Sequence, residues 1–281
     1  MKFIVSLLSM TFIFVFLLAP TTNVAALDPV GKITISGGAE KAEGNPAGGR
    51  GTIELLGLLP IGANFGLQGI GHYVGGQGSR IGFSLGPIVG WNSGKAGLFV
   101  NYQHRSLHSN NFVSLRPSVA FYLDQANLNL WYSHPVSSPQ RSRTEVEYGI
   151  NWLQGTLSYF PATDVASFMR KDNLELTLGL QVNTFAGAGR HNLDSAGVGP
   201  VFGFSFMPIQ NLAVNLFKAT FDNRSRYTVE SGIQYHFFGP GNSTLKELRR
   251  RSLEPNWLAP GAGGRINRRQ PPPPSSSSSG G

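Results

Sequence analysis

Apolar and polar residues alternate one by one through residues 227–238, YTVESGIQYHFF, and a period of two sustained over that length specifies a β-strand. Tyr227, Val229, Ile233, Tyr235 and Phe237 share one face, interrupted only by Ser231. Thr228, Glu230, Gly232, Gln234 and His236 share the other. The same design recurs upstream. Ile81, Phe83, Leu85, Val89 and Trp91 oppose Gly82, Ser84, Gly86 and Gly90; Val113, Leu115, Val119, Phe121 and Leu123 oppose Ser114, Arg116, Ser118 and Tyr122. Leu174, Leu176, Leu178, Leu180 and Val182 oppose Glu175, Thr177, Gly179, Gln181 and Asn183. Between residues 27 and 238 this pattern gives about twelve strands, with ten and fourteen as the neighbouring counts, each closed by Gly, Pro, Asn, Asp or Ser.

A soluble sandwich also has one buried and one wet face on each strand, so the connections must decide. A membrane barrel alternates long outer loops with short inner turns. The longer connections fall at residues 40–49, 75–79, 106–111, 135–143, 187–196 and 222–225, and the shorter ones at 59–61, 92–94, 124–125 and 207–210. One stretch, 161–173, is too long for an inner turn; Thr163 and Asp164 there suggest a short helix reaching Arg170. The stretch 146–160 is read as barrel strand, with Gly155 as its one candidate break. The expected fold is all-β: a transmembrane antiparallel up-and-down barrel of about twelve strands.

The two ends of the sequence add to this. Glu230, Gly232, Tyr235 and Phe237 resemble the C-terminal targeting signal of bacterial outer-membrane β-barrels, a polar residue, a glycine two later and hydrophobic residues at the fifth and seventh positions. That resemblance implies recognition by the barrel assembly machinery and insertion among outer-membrane lipids. At the other end, Lys2, the apolar run 3–18 and the small residues Val24, Ala25 and Ala26 have the order of a secretory signal peptide, with cleavage expected after Ala26. A retained anchor is the alternative, because the run approaches a spanning length. No Cys stands there to carry a lipoprotein anchor, and with 0 Cys in 281 residues there is neither a disulfide framework nor a cysteine nucleophile.

Composition enters where charge is concerned. The net charge of +8 belongs mainly to residues 239–281, where Lys246, Arg249, Arg250, Arg251, Arg265, Arg268 and Arg269 face only Glu247 and Glu254. A basic balance confined to a tail gives no nucleic-acid reading for the body. The three expected parts are a signal peptide (1–26), a barrel (27–238) and a disordered basic Pro/Ser/Gly-rich tail in the periplasm (239–281). Thr244 and Glu247 have capping-box spacing for one short helix in that tail, and its basic cluster is suited to anionic envelope polymers, although a solvated charge run is the simpler account.

Chemistry is sparse. By parity His104, Ser106 and Asn111 reach the lipid-facing side near the outer rim. The set resembles outer-membrane phospholipase A and, in its His-x-Ser element, the lipid A deacylases, where a base-activated Ser attacks acyl esters. Both families read His-x-Ser-Asn, whereas here Leu107 follows Ser106 and the pair Ser109–Asn110 comes later. The alternative is a girdle of polar aromatics that includes His72, His104 and His134. Six scattered His give no metal spacing, and no cofactor is expected. Arg105, Arg116, Glu145, Glu147, Glu175 and Glu230 are expected to project into the lumen, where charges pair across a filled interior or line water. The expected function is passive, a narrow porin-like channel for small solutes or a closed structural barrel. The alternative is a lipid acyl hydrolase using the rim triad, and adhesion through the short loops has little support.

Overall fold

In the computed structural model the described residues are 27–41, 46–76, 79–106, 110–137, 140–141, 145–148, 150–166, 170–185, 197–223, 225–238, 242–254 and 265–268. The expected signal peptide and most of the expected tail lie outside them.

Strands β1 (Val30–Lys41), β2 (Gly48–Pro60), β3 (Phe65–Gly75), β4 (Arg80–Trp91), β5 (Gly94–Arg105), β6 (Asn110–Tyr122) and β7 (Ala126–Pro135) run up and down in sequence order. They continue into β10 (Ile150–Tyr159), β11 (Leu174–Phe185), β12 (Gly197–Ile209), β13 (Leu212–Phe221) and β14 (Tyr227–Phe237). Each pairs antiparallel with its neighbours, and β14 closes on β1 from Gly31↔Phe237 to Lys41↔Tyr227. The result is a closed twelve-stranded barrel, and closure leaves no edge to satisfy. The rim where β1 begins and β14 ends is called the lower rim here, the opposite one the upper.

Its faces are inverted relative to a soluble barrel. On β11, Leu178 and Leu180 are 60% and 65% exposed while Gln181 is fully buried. The other strands follow, with Ile81, Phe83 and Leu85 of β4 and Ile233 and Tyr235 of β14 outside. Ser84, Thr228, Glu230 and Gln234 are inside. Aromatic pairs collect at both rims: Trp91–Phe121 and Tyr235–Phe237 below, Phe83–Tyr102 and Phe221–Tyr227 above. An apolar belt between two aromatic girdles matches hydrocarbon flanked by headgroups.

Three expectations need correction. The strand expected over 146–160 is divided between Tyr148 and Ile150, with Gly155 mid-strand opposite Leu130 and Leu180. β9 (Glu145–Tyr148), which carries Glu145 and Glu147, pairs instead with β8 (Gln140–Arg141) and β15 (Arg265–Arg268) in a separate three-stranded sheet. Those two glutamates are therefore not on a barrel strand. On β10 the odd positions Leu153, Leu157 and Tyr159 face outward and Trp152 inward. Second, the described residues of 161–173 contain no helix; Asp164 Oδ1 instead accepts from the Lys171 amide at 2.6 Å.

The third correction concerns the tail. The capping box forms as its spacing suggests, with Thr244 receiving the Glu247 amide and Glu247 the Thr244 amide, and it starts α1 (Leu245–Arg251). That helix is not a solvated appendage. Leu245 and Leu248 pack with Phe160, Met207 and Ala213 of the lower rim, and Leu253 packs with Leu27, Leu56, Leu58, Ile70, Ile88 and Phe99 inside the barrel. The overlong connection 160–173 has a role in this docking. Asn173 Oδ1 accepts from the Leu245 amide at 2.9 Å, the Asp172 carbonyl from the Lys246 amide at 3.0 Å, and the Asp172 carboxylate pairs with Lys246 at 2.8 Å.

Candidate functional site

The candidate site is the lumen. Alternation turns every second residue of each strand inward, where long side chains reach partners two or three strands away around the wall. At the level of the upper half, Arg50 donates to Glu40 at 2.9 Å and is bonded to Glu230, while Arg80 donates to the same Glu40 oxygen at 2.7 Å. Glu230 also accepts from Ser36 at 2.8 Å and Thr52 at 3.0 Å. Arg116 donates to Ser133 at 3.2 Å, beside the edge-to-face pair Trp131–Trp152. Ser84, Asn101 and Ser114 continue a polar chain across three strands.

Below this lies a cavity of about 130 Å³, lined among others by Thr34, Asn129, Thr156 and Lys218. At roughly 30 Å³ per water a volume of that size holds about four waters. Its floor is formed by Arg249, Ser252 and Glu254, from the segment that follows β14.

Arg249 is the hub of that floor. It donates to Glu175 at 2.8 Å, Gln234 at 2.6 Å and Glu254 at 3.1 Å. Lys32 bridges Glu254 at 3.1 Å and Glu54 at 3.2 Å. Burial pulls the Arg249 guanidinium down, but the Glu175 and Glu254 carboxylates outweigh it and raise its pKa. For Glu254 burial pushes the carboxyl up, and Lys32, Arg249 and Lys218 more than reverse this, holding it well below the usual carboxylate range. Gln68 clasps the Leu253 backbone, donating to its carbonyl at 2.5 Å and accepting its amide at 3.0 Å. Arg250 donates to Asn127 at 2.9 Å, to the Leu123 carbonyl and to the Asp124 carbonyl at 3.1 Å, and lies 5.3 Å from the Tyr122 ring centre.

Of the residues named from sequence, Arg105, Arg116, Glu175 and Glu230 lie on the lumenal face of their strands, and the last three are buried. Glu145 and Glu147 do not, as described above. Sequence reasoning passed over Lys32, Glu40, Arg50, Glu54, Arg80 and Lys95, although each shares the parity of the polar face of its own strand, and Lys218, which lies past the register shift of β13 and so out of phase with Asn215. It also passed over Arg249 and Glu254, which no strand parity could reveal. In the resemblance to a targeting signal, Glu230 and Gly232 face inward on β14 while Tyr235 and Phe237 face outward.

The rim triad is only partly assembled. His104 Nδ1 and Asn111 Oδ1 are 2.8 Å apart, and Tyr102 donates to the same oxygen at 2.7 Å. Ser106 turns to the neighbouring strand's end, with its Oγ 2.7 Å from Ser79 Oγ and 3.1 Å from the Ser79 carbonyl. The His–Asn arrangement recurs on β7 and β10, where His134 and Asn151 are 2.7 Å apart with Tyr132 alongside. A repeated Tyr-x-His and Asn pairing without a serine suits a polar girdle at the lipid boundary. Ser106→Ala is expected to leave fatty-acid release from lipid vesicles, assayed with calcium, unchanged from wild type and to shift stability by under about 0.5 kcal/mol. Release lost on substitution would restore Ser106 as a nucleophile.

No protein-family model matches the chain, and no curated protein matches it by sequence. Solved structures do. A protein from a study of the in-meso crystallization of membrane proteins is similar over 86% of this chain and 100% of its own, with TM-score 0.57 and 11% identity. The NanC porin is similar over 72% of this chain and 98% of its own, with TM-score 0.53 and 8% identity. The likeness is one of fold. The KdgM porin covers 73% of this chain and 99% of its own at TM-score 0.46 and 15% identity.

Proposed function

We propose that the chain is a bacterial outer-membrane β-barrel that acts as a narrow, porin-like channel for small solutes. The observation that carries this reading is the charged cavity, with room for several waters, inside a barrel whose outer belt is apolar. A structural barrel has no need of an open interior, and packing it with apolar side chains would avoid the cost of desolvating so many ions. The fold shared with the NanC porin supports the same reading. Outer-membrane lipid is the solvent of the belt, and the assembly machinery is the partner that would read Glu230, Gly232, Tyr235 and Phe237 on the last strand. The hydrolase alternative has the weaker geometry, because Ser106 engages Ser79 and not His104.

The test is ion conduction by the refolded protein in a planar bilayer. Discrete ohmic steps, with selectivity altered by Arg116→Gln or Glu230→Gln, are the expected result. A barrel that is heat-modifiable on gels, hence folded, and silent even without residues 239–281 would overturn the reading.

A further inference from the structure

A segment from outside the strands fills the lower mouth of a barrel that is already complete. The ladder runs unbroken through all twelve strands without it. Yet residues 243–254 reach Lys32 on β1, Gln68 on β3, Lys95 on β5, Tyr122 on β6, Asn127 on β7, Glu175 on β11, Asn215 on β13 and Gln234 on β14. Such contact around the ring is what a stopper needs, and the wall it touches is built to stand without it. Lys32 keeps Glu54, and Glu175 lies within 3.5 Å of the Thr177 hydroxyl. Of the remaining partners, Gln68, Asn127, Asn215 and Gln234 are amides, Tyr122 is a phenol and Lys95 an ammonium, each making hydrogen bonds that water can replace. The apolar part of the interface is small, three leucines in two separate clusters.

We propose that the lower mouth is a binding site for a basic peptide, that residues 243–254 occupy it in cis, and that their undocking, with the wall unmoved, opens the channel. The proposal rests on the channel reading above. The latch is Arg249 with Glu175 and Glu254 with Lys32; Lys246 with Asp172 and Gln68 with the Leu253 backbone are secondary holds.

The experiment compares full-length wild type with Arg249→Glu, Lys246→Glu and the charge swap Glu175→Arg/Arg249→Glu in planar bilayers, each first checked for heat-modifiable folding. Wild type is expected to be closed most of the time. Arg249→Glu should raise the open fraction by about a hundredfold, the scale on which loss of one partner disrupts a buried ion network. Lys246→Glu should act in the same direction by less, and keeps the test alive if Arg249→Glu fails to fold. The swap should close the channel again, which general destabilisation would not do. A synthetic peptide of residues 242–254, supplied at millimolar concentration to the lower side, should re-close Arg249→Glu.

Two results overturn the proposal. Wild type and Arg249→Glu that conduct alike would refute the stopper and leave the channel standing. Folded barrels silent in every variant, including one ending at Phe238, would refute channel and stopper together.

Discussion

A valine at Gly38 is expected to leave the chain without a closed barrel. Gly38 sits on β1 opposite Glu230 of β14, at the seam where the first and last strands meet. A Cβ built there overlaps the Val229 carbonyl oxygen and falls 2.8 Å from the Glu230 Cα, both backbone atoms that no rotamer change can clear. Gly232 imposes the same demand from the other side, where an added Cβ meets the Ile35 carbonyl and the Ser36 backbone. Relief requires the strands to part, and each ladder group then exposed to hydrocarbon costs several kcal/mol, because no water is there to replace the lost bond. Gly38→Val should abolish the heat-modifiable band, whereas Gly57→Ala, where nothing lies within 4 Å of the added carbon, should keep it. A Gly38→Val protein that still shifts on heating would show that the seam tolerates separation.

Acid is expected to unlatch the lower mouth. Glu254 is faced by Lys32 of β1, Lys218 of β13 and Arg249 of α1, with the His236 ring of β14 alongside, and the three cations hold its carboxyl below the ordinary value of 4.5. A depressed acid contributes its full share to docking above its undocked pKa and loses it progressively as pH falls toward the docked one. From pH 7 to 5 the open fraction should therefore stay level. Between about 4.5 and 3 it should climb by about thirtyfold, tenfold for each unit. Glu254→Gln should raise the open fraction at pH 7 and flatten the acid response. Conductance at pH 7, 5 and 3 checks both, and closure that persists unchanged to pH 3 would remove Glu254 from the latch.

The barrel wall was legible in sequence because lipid and lumen enforce a period of two, and that period survives in β4, β11 and β14 with almost no interruption. It fades where the backbone departs from regular pairing. On β13 the register shifts between Asn215 and Lys218, so Leu216 and Phe217 both face outward and the alternation changes phase. At the junction of β9 and β10 the run of alternating residues crosses from one sheet to another with only Gly149 to mark it, and glycines such as Gly155 and Gly179 lie mid-strand, so Glu145 and Glu147 were carried into the wrong sheet. The stopper was hidden for a different reason. LKELRRR has only two apolar residues, and three consecutive arginines read as a solvated run until their partners are known. Glu175 and Asn127 are remote in sequence from the arginines they receive, and no local pattern relates them. The one local hint was the overlong connection 161–173, whose Asp172 and Asn173 hold the start of α1.

Phe238 and Asn242 are four positions apart, about 14 Å of fully stretched chain. A stopper on so short a tether never leaves the mouth it has vacated. Its local concentration is millimolar or higher however dilute the protein, so an affinity too weak to register between separate molecules is enough to keep the pore shut. Recapture is a first-order event within one molecule, and the duration of each opening is set by how quickly the same few residues find their way back.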